Sequence, residues 1–498
     1  MNRLPWSAVR GLAAITSLVL CVCLIDPPSP ATWDRVIDGA RDTEVRVGGT
    51  PAGPEVPPDF LGFSFETTAL HAGIFGAGRP VLARLFANLG RGLLRFGGST
   101  LDRSVWAPDG GAPAGNLAVT SDDLKSMFAF ANQVGWKVLL GLNLGRFNPR
   151  EAADEAAAAA QLGGGTLAAF EFGNEPDLYV QTYTGPLRPS SYDASTYRHE
   201  WDDYLRAVRG QVPTATVVGP GIAGVPGSVA MLQTFIEAER AVIPYATAHH
   251  YPLGAPITDP ESPSYASIGN LLSPDVRQRD TDEIGTWART AADLGTTLRL
   301  TETNSVFGGG KHGVSDTLAG ALWTVDYLYR VASLGMIGIN LHVVPGQCGG
   351  YTPFCAPTVR DARADRFQVQ PNYYALLLFH LAARGRLVPT RVAGNARVTA
   401  YTTRDAVGTT RIALIDSGAE PVDVAIRVLG LEGRVNGTLL RLTGSSLAAT
   451  DGVTLGGSAV QPDGTWNALA GDPVVAVDGT ARLLLPPASV TVLTLPTY

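Results

Sequence analysis

Two glutamates carry most of the chemistry legible in this 498-residue chain. Glu175 stands in Asn174-Glu175-Pro176 and Glu302 in Thr301-Glu302-Thr303-Asn304, each closing a short apolar run. A single glutamate at a strand end is commonly an ion-pair partner. A pair can divide labour across a glycosidic bond, one carboxylic acid protonating the leaving oxygen and one carboxylate facing it. In retaining enzymes the second group is a nucleophile about 5 Å from the first. Arg95 is a natural neighbour to keep Glu302 ionised, or equally a structural ion-pair residue. His249 could hydrogen-bond a carboxylate or be a satisfied barrel histidine.

Those residues need a scaffold that brings strand ends together. From residue 59 to about 385, apolar runs alternate with helical patterns. The predicted strands are Phe60–Glu66, Leu93–Gly97, Lys137–Asn143, Ala168–Asn174, Thr216–Gly221, Tyr245–Tyr251, Leu298–Thr303 and Gly338–Val344. Among the helical patterns between them are Ser121–Val134, where Asp122 and Asp123 after Ser121 make a capped start, and Thr317–Leu334, which Asp316 is expected to cap in the same way. Glu151–Gln161 is alanine-rich and the weakest. Eight βα repeats predict a parallel (β/α)8 TIM barrel whose active site gathers at the C-terminal strand ends. Glu66, Asn143, Asn174, Glu175, His249, Tyr251, Glu302 and His342 all fall there. After residue 385 short β-prone runs such as Val398–Thr402, Arg411–Asp416 and Val422–Val428 predict a C-terminal β-sandwich over 386–498. Segment 31–58 contains one alternating run, Thr43–Val47, that could add a strand to it.

Composition narrows the partners. Thirty-eight Lys+Arg against 45 Asp+Glu give a net charge of −7, and Lys125, Lys137 and Lys311 are the only lysines. With no basic run, a nucleic-acid footprint is missing, and a strongly sulfated polyanion is disfavoured. No phosphate loop, dinucleotide fingerprint or metal motif is present, so no cofactor and no metal are expected. In residues 1–30, Arg3 and Arg10 precede an apolar run, Gly11 to Ile25, followed by Asp26-Pro27-Pro28. This reads as a secretory signal, with an uncleaved N-terminal anchor as the alternative. Of the four cysteines, Cys348 and Cys355 lie outside that leader. In an oxidising compartment they would close a small disulfide; otherwise they are two free thiols.

Glu-Phe-Gly-Asn-Glu-Pro (171–176) resembles the acid/base strand of clan A glycoside hydrolases. Leu-Arg-Phe-Gly-Gly-Ser (94–99), His-His-Tyr (249–251), Glu-Thr-Asn-Ser-Val-Phe-Gly-Gly-Gly (302–310) and Ser-Asp-Thr-Leu-Ala-Gly-Ala-Leu-Trp (315–323) resemble glycoside hydrolase family 79, which contains β-glucuronidases and heparanases. The resemblance implies Glu175 as acid/base and Glu302 as nucleophile, with Tyr251 fixing the nucleophile. It places Glu66 on sugar hydroxyls and Asn174 on the 2-hydroxyl. It implies a substrate carboxylate held by Phe307, Gly308, Gly309 and Tyr351, the last between the two cysteines. Phe307 departs from the family's tyrosine and cannot donate that hydroxyl hydrogen bond.

The expectation is a secreted, cofactor-free retaining β-glucuronidase of exo action, acting on a carbohydrate substrate and with no call on its oligomeric state. An endo-acting heparanase-like hydrolase, another clan A β-glycosidase such as a xylosidase or galactosidase, and a non-catalytic carbohydrate-binding protein are the alternatives.

Overall fold

The computed structural model describes residues 43–111, 117–181 and 185–496. The leader expected over 1–30 lies outside the described residues. Among the described residues no helix is long and apolar enough to cross a membrane.

Eight parallel strands close into a barrel: Leu61–Glu66, Leu93–Gly97, Lys137–Leu142, Leu167–Phe172, Val217–Ile222, Ala246–His250, Leu298–Thr303 and Gly338–Val343. They are numbered one to eight below. Each is covered on both faces, which is why it reads as an unbroken apolar run rather than an alternating one. Strands one and eight pair through Phe63 and Leu341 to shut the ring. The fold is therefore the expected TIM barrel with a second, mainly antiparallel domain.

Local chemistry sets the helix boundaries. Ser121–Val134 forms as expected, but its cap is Thr120, whose hydroxyl accepts from Asp123 N while Asp123 reaches back to Thr120 N. That reciprocal box satisfies two otherwise orphaned amides. Asp316 does not cap the following helix; Thr317 caps Leu318–Ser333, and Asp316 instead binds His312 and the Gly313 amide. The alanine-rich pattern forms a full helix over Pro149–Gly163, started by Asn148. The helices Leu318–Ser333 and Pro371–Ala382 are buried along almost their whole length. The second domain covers the faces that in most barrel helices meet water.

That domain is a twelve-stranded sheet, eleven strands in one hydrogen-bonded path and Thr454–Leu455 paired beside it, with Thr43–Val47 between Thr390–Ala393 and Val422–Val428. The path folds over a core of Val45, Ile412, Leu414, Ile426, Leu485 and Leu493. Strands Gly385–Val388, Thr390–Ala393, Asp472–Val477 and Thr480–Leu485 carry weak sequence signals, because each is short and edged by Gly, Pro or Asp. The two domains are joined by a buried polar knot. Asp326 accepts from Arg277 and Arg330, and from Tyr401 across the junction at 2.8 Å. Leu318 N and Ala319 N donate to Ala449 O and Leu447 O of the sandwich.

Candidate active site

Arg95, at the mouth end of strand two, is fully buried and organises the barrel mouth. Its Nε donates to Glu171 Oε2 at 2.7 Å, and Nη1 donates to Glu302 Oε2 at 2.8 Å and Ser64 Oγ at 3.0 Å. Nη2 donates to Asn174 Oδ1 at 3.0 Å. One guanidinium thereby ties strands one, two, four and seven at one height. Thr301 completes Glu171, which faces inward and does not reach the cavity. Two adjacent glycines make room: a Cβ on Gly97 would meet the Arg95 guanidinium at 2.8 Å. One on Gly98, which also has a positive φ of 73°, would meet the Glu66 carboxylate at 2.5 Å.

Glu302 is gripped from three sides. Besides Arg95, the Tyr251 hydroxyl donates to Oε1 at 2.9 Å, and His342 Nδ1 lies 3.5 Å from Oε2. Burial pushes its carboxyl up, but His342, His249, Arg95 and the Tyr251 hydrogen bond outweigh that and hold it well below the usual carboxylate range. Glu175 has the opposite environment. Burial raises its carboxyl most, the neighbouring Glu302 charge adds to the rise, and only His249, whose Nδ1 hydrogen-bonds Oε1 at 2.9 Å, opposes it. Two glutamates facing one cavity are thus set to different protonation states.

Glu175 also has a strained backbone, with φ 54° and ψ 58°, a left-handed conformation unusual for any residue but glycine. Neighbouring amides hold it there: Glu175 N donates to Gly221 O at 3.0 Å and Asn174 N to Asp102 Oδ2 at 3.1 Å. Asp102 further accepts from Gly145 N and Leu144 N. Its burial lifts its carboxyl to about 6, against the pull of those amides.

Of the residues expected at the site, Glu66, Asn174, Glu175, Tyr251, Glu302, Phe307, Gly308, Gly309, His342 and Tyr351 line one cavity of about 480 Å³, a size typical of a small-ligand site; His249 stands behind Glu175. Glu66 accepts from the amides and hydroxyls of Ser99 and Thr100 and borders the opening. The Phe307 ring packs edge-on to Tyr251 at 5.8 Å, while Tyr351 lies flat beside Tyr251. Tyr351 is also hydrogen-bonded to Tyr251 and to the Gly309 backbone. Cys348 and Cys355 form a disulfide around that loop. The glycine run presses on the same loop: a Cβ on Gly310 would strike the Tyr351 backbone. Lys311 and His312 point elsewhere, Lys311 to Ala266 O and the Tyr265 ring and His312 to Asp316. Asn143 binds the Ser104 carbonyl rather than the cavity.

No family profile matches the sequence. A β-glucuronidase from Neurospora crassa is 29% identical over 201 residues, covering 37% of this chain and 35% of that protein. A β-glucuronidase from Aspergillus niger is 26% identical over 275 residues, half of each chain. The chain is related to the glycoside hydrolase family 79 enzymes. The matched stretches span half or less of those curated relatives. Over nearly the whole fold, a solved 4-O-α-L-rhamnosyl-β-D-glucuronidase from Fusarium oxysporum 12S superposes with a TM-score of 0.74. It covers 91% of this chain and 100% of that one at 20% identity, which is a likeness of fold.

Arg95 meets Glu302 as expected; Glu171 and Asp102 are what residue-level reading left without a role. Glu171 is visible only as a second acid in the 171–176 motif. Asp102 had no signal beyond its place in the loop after strand two. Among the described residues Glu175, His249 and Glu302 also bring donor atoms within 4.8 Å of one another. Arg95 already neutralises Glu302 and would repel a metal ion placed there.

Proposed function

We propose that the protein is a glycoside hydrolase of β-glucuronidase type that works by double displacement with retention. The observation that carries this is the divergence of Glu175 and Glu302 in one cavity. Glu175 is biased to its protonated form and Glu302 to its ionised form, with an oxygen of each within 4.8 Å of the other. That proximity suits a nucleophile and an acid, leaving no room for an intervening water as inversion requires.

Glu302 attacks the anomeric carbon while Glu175 gives its proton to the glycosidic oxygen, and the aglycone leaves. Glu175, now a carboxylate, takes a proton from water, which attacks the glycosyl ester and restores Glu302. Tyr251 fixes the attacking oxygen, and Glu66 and Asn174 contact the sugar hydroxyls. The Gly308 and Gly309 backbone with Tyr351 receives the substrate carboxylate, Phe307 supplying ring packing only. Secretion through the N-terminal leader fits a disulfide beside the site.

The decisive experiment is turnover of an aryl β-glucuronide with time-resolved NMR of the released sugar. The β-anomer should appear first and Glu302→Gln should abolish turnover; first release of the α-anomer, or an unchanged rate in the variant, removes the mechanism. Phe307 favours a second reading, a neutral β-glycoside, and an aryl β-glucoside cleaved faster than the glucuronide would establish it.

A further inference from the structure

The cavity has two unlike sides. Facing strands six to eight are Tyr251, Glu302, Phe307, Gly308, Gly309, His342 and Tyr351, the sugar-binding groups of the proposed reaction. Around the ends of strands two and four the lining changes to Arg103, Leu178 and Leu187. Leu178 follows Glu175 by one short helical turn, Pro176–Leu178, so it travels with the proposed acid. Leu187 lies on the same strand-four loop, and that loop is clamped. Leu187 N and Arg188 N both donate to Tyr179 O, and the Arg188 guanidinium holds Leu144 O, Gly145 O and Glu200. The wall is preorganised, which limits the entropy lost when a ligand packs on it.

Arg103 is the sole lysine or arginine in this lining, against the carboxylates Glu66, Asp102, Glu175 and Glu302. It is half-buried, and no carboxylate among the described residues forms an ion pair with it. Other arginines at the barrel mouth are occupied: Arg95 by Glu171 and Glu302, Arg188 by Glu200. Strands two and seven stand three places apart around the ring of eight, so Arg103 lies across the mouth from the Phe307–Gly309 segment. An acid protonates the oxygen it faces, so the leaving group lies on the Glu175 side of the broken bond, next to Leu178.

We propose that Arg103, Leu178 and Leu187 form the aglycone site, and that it selects an apolar, flat aglycone bearing an anionic substituent. This rests on the glycosidase reading for the position of the cleaved bond. The leucines supply apolar contact for the ring. Arg103 supplies a planar, permanently charged fork for a carboxylate or sulfate at its edge. The same cation offsets the repulsion that an anionic aglycone would meet from the ionised carboxylates of the cavity, Glu66 among them.

The test is binding of thioglycosides, which needs no turnover. Phenyl and 3-carboxyphenyl 1-thio-β-D-glucuronide, and the matching thioglucosides, are titrated by calorimetry into the wild-type chain and into Arg103→Gln and Arg103→Lys. The carboxylated ligand should bind roughly three- to tenfold more tightly to the wild type, as a partly exposed charge pair allows. The preference should fall to about one in Arg103→Gln, persist in Arg103→Lys, and narrow with salt. A wild-type ratio of one, or a ratio that Arg103→Gln leaves unchanged, overturns the proposal. Equal weakening of both ligands in Arg103→Gln also overturns it, because Arg103 would then be holding the sugar. If the thioglucosides bind and the thioglucuronides do not, the glucuronide assignment fails while the Arg103 ratio is still read on the glucoside pair.

Discussion

Replacing Arg95 with methionine tests whether this one cation sets the charge state of Glu302, the proposed nucleophile. Arg95 touches Glu302 at 2.8 Å and Glu171 at 2.7 Å, and no water reaches it. A unit charge at about 4 Å in an effective dielectric near 20 is worth about 4 kcal/mol. Burial takes back part of this, and His342, His249 and Tyr251 still favour the Glu302 anion after the substitution. A cation next to a carboxylate typically moves it by about 1–3 units, and with the other groups left in place about 2 units is expected. The sign is fixed: Glu302 must be ionised to attack, its folded value is depressed, and losing Arg95 raises it. The acid limb of kcat/KM on an aryl β-glucuronide therefore moves to higher pH. At a pH below both limbs the rate falls about 100-fold. The variant also strands Glu171, so a loss of about 3–5 kcal/mol of stability is expected from breaking a buried pair. Arg95→Met combined with Glu171→Gln separates the two effects. Removing the stranded charge should recover much of the stability and leave the acid limb displaced. A folded double variant whose acid limb coincides with the wild type would refute the assignment of Glu302 as an arginine-stabilised nucleophile.

Three further outcomes follow from the same geometry. His249 is what opposes the rise of the Glu175 carboxyl, so His249→Gln should move the alkaline limb of kcat upward by about a unit; an alkaline limb that stays or falls contradicts it. Phe307→Tyr restores a donor beside Tyr251, and the glucuronide-to-glucoside ratio of kcat/KM should rise roughly tenfold or more, the worth of a hydrogen bond to a charged group; a ratio that does not change would place the carboxylate elsewhere. Asp326→Ala should cost about 3–5 kcal/mol in denaturant unfolding at neutral pH. Its carboxyl, though buried, is held low by Arg330 and Arg277, so its contribution is present above the unfolded value near about 3.9 and is lost as pH falls through the lower folded value. The gap between variant and wild type should close in that acid range, and a gap that persists there would point to packing.

The barrel was legible because fully covered parallel strands leave a plain signal: six or so apolar residues ending in a polar one. Leu93–Gly97 and Leu298–Thr303 were read to the residue, and the other six within two residues at either end. The sandwich was less so, since strands such as Asp472–Val477 are half exposed and open with Asp472-Pro473, where composition says turn. Of the residues expected from their place at strand ends, Glu66, Asn174, Glu175, Tyr251, Glu302 and His342 line the cavity, and Asn143 does not. What escaped were groups such as Asp102 and Glu171, whose contacts come from partners distant in sequence. Asp102 holds the amides of Leu144, Gly145 and Asn174, and nothing near residue 102 announces those contacts. Helix caps misled for a related reason. Asp316 stands at a valid capping position, but His312 one turn back competes for its carboxylate and Thr317 takes the amide.

The two glutamates illustrate why residue type and position do not by themselves assign chemical roles. Both end barrel strands, both face the same cavity, and both lose hydration on burial. If burial alone decided, both would be raised and the site would hold two neutral acids. The difference arises because Arg95 reaches strand seven and not Glu175, placing its charge on Glu302, while Asn174 takes the remaining arm of the same guanidinium. Arg95 makes no hydrogen bond to Glu175, whose turn is held by Asp102 and Gly221 through the Asn174 and Glu175 amides. Glu302 keeps the cation because a neutral side chain stands at 174 where another carboxylate could have competed for it. In the wild-type chain Asn174 is thus a positioning residue for the charge division, in addition to its proposed contact with the sugar. Asn174→Asp would add a carboxylate that competes with Glu302 for Arg95, and the acid limb should move in the same direction as in Arg95→Met, by a smaller step.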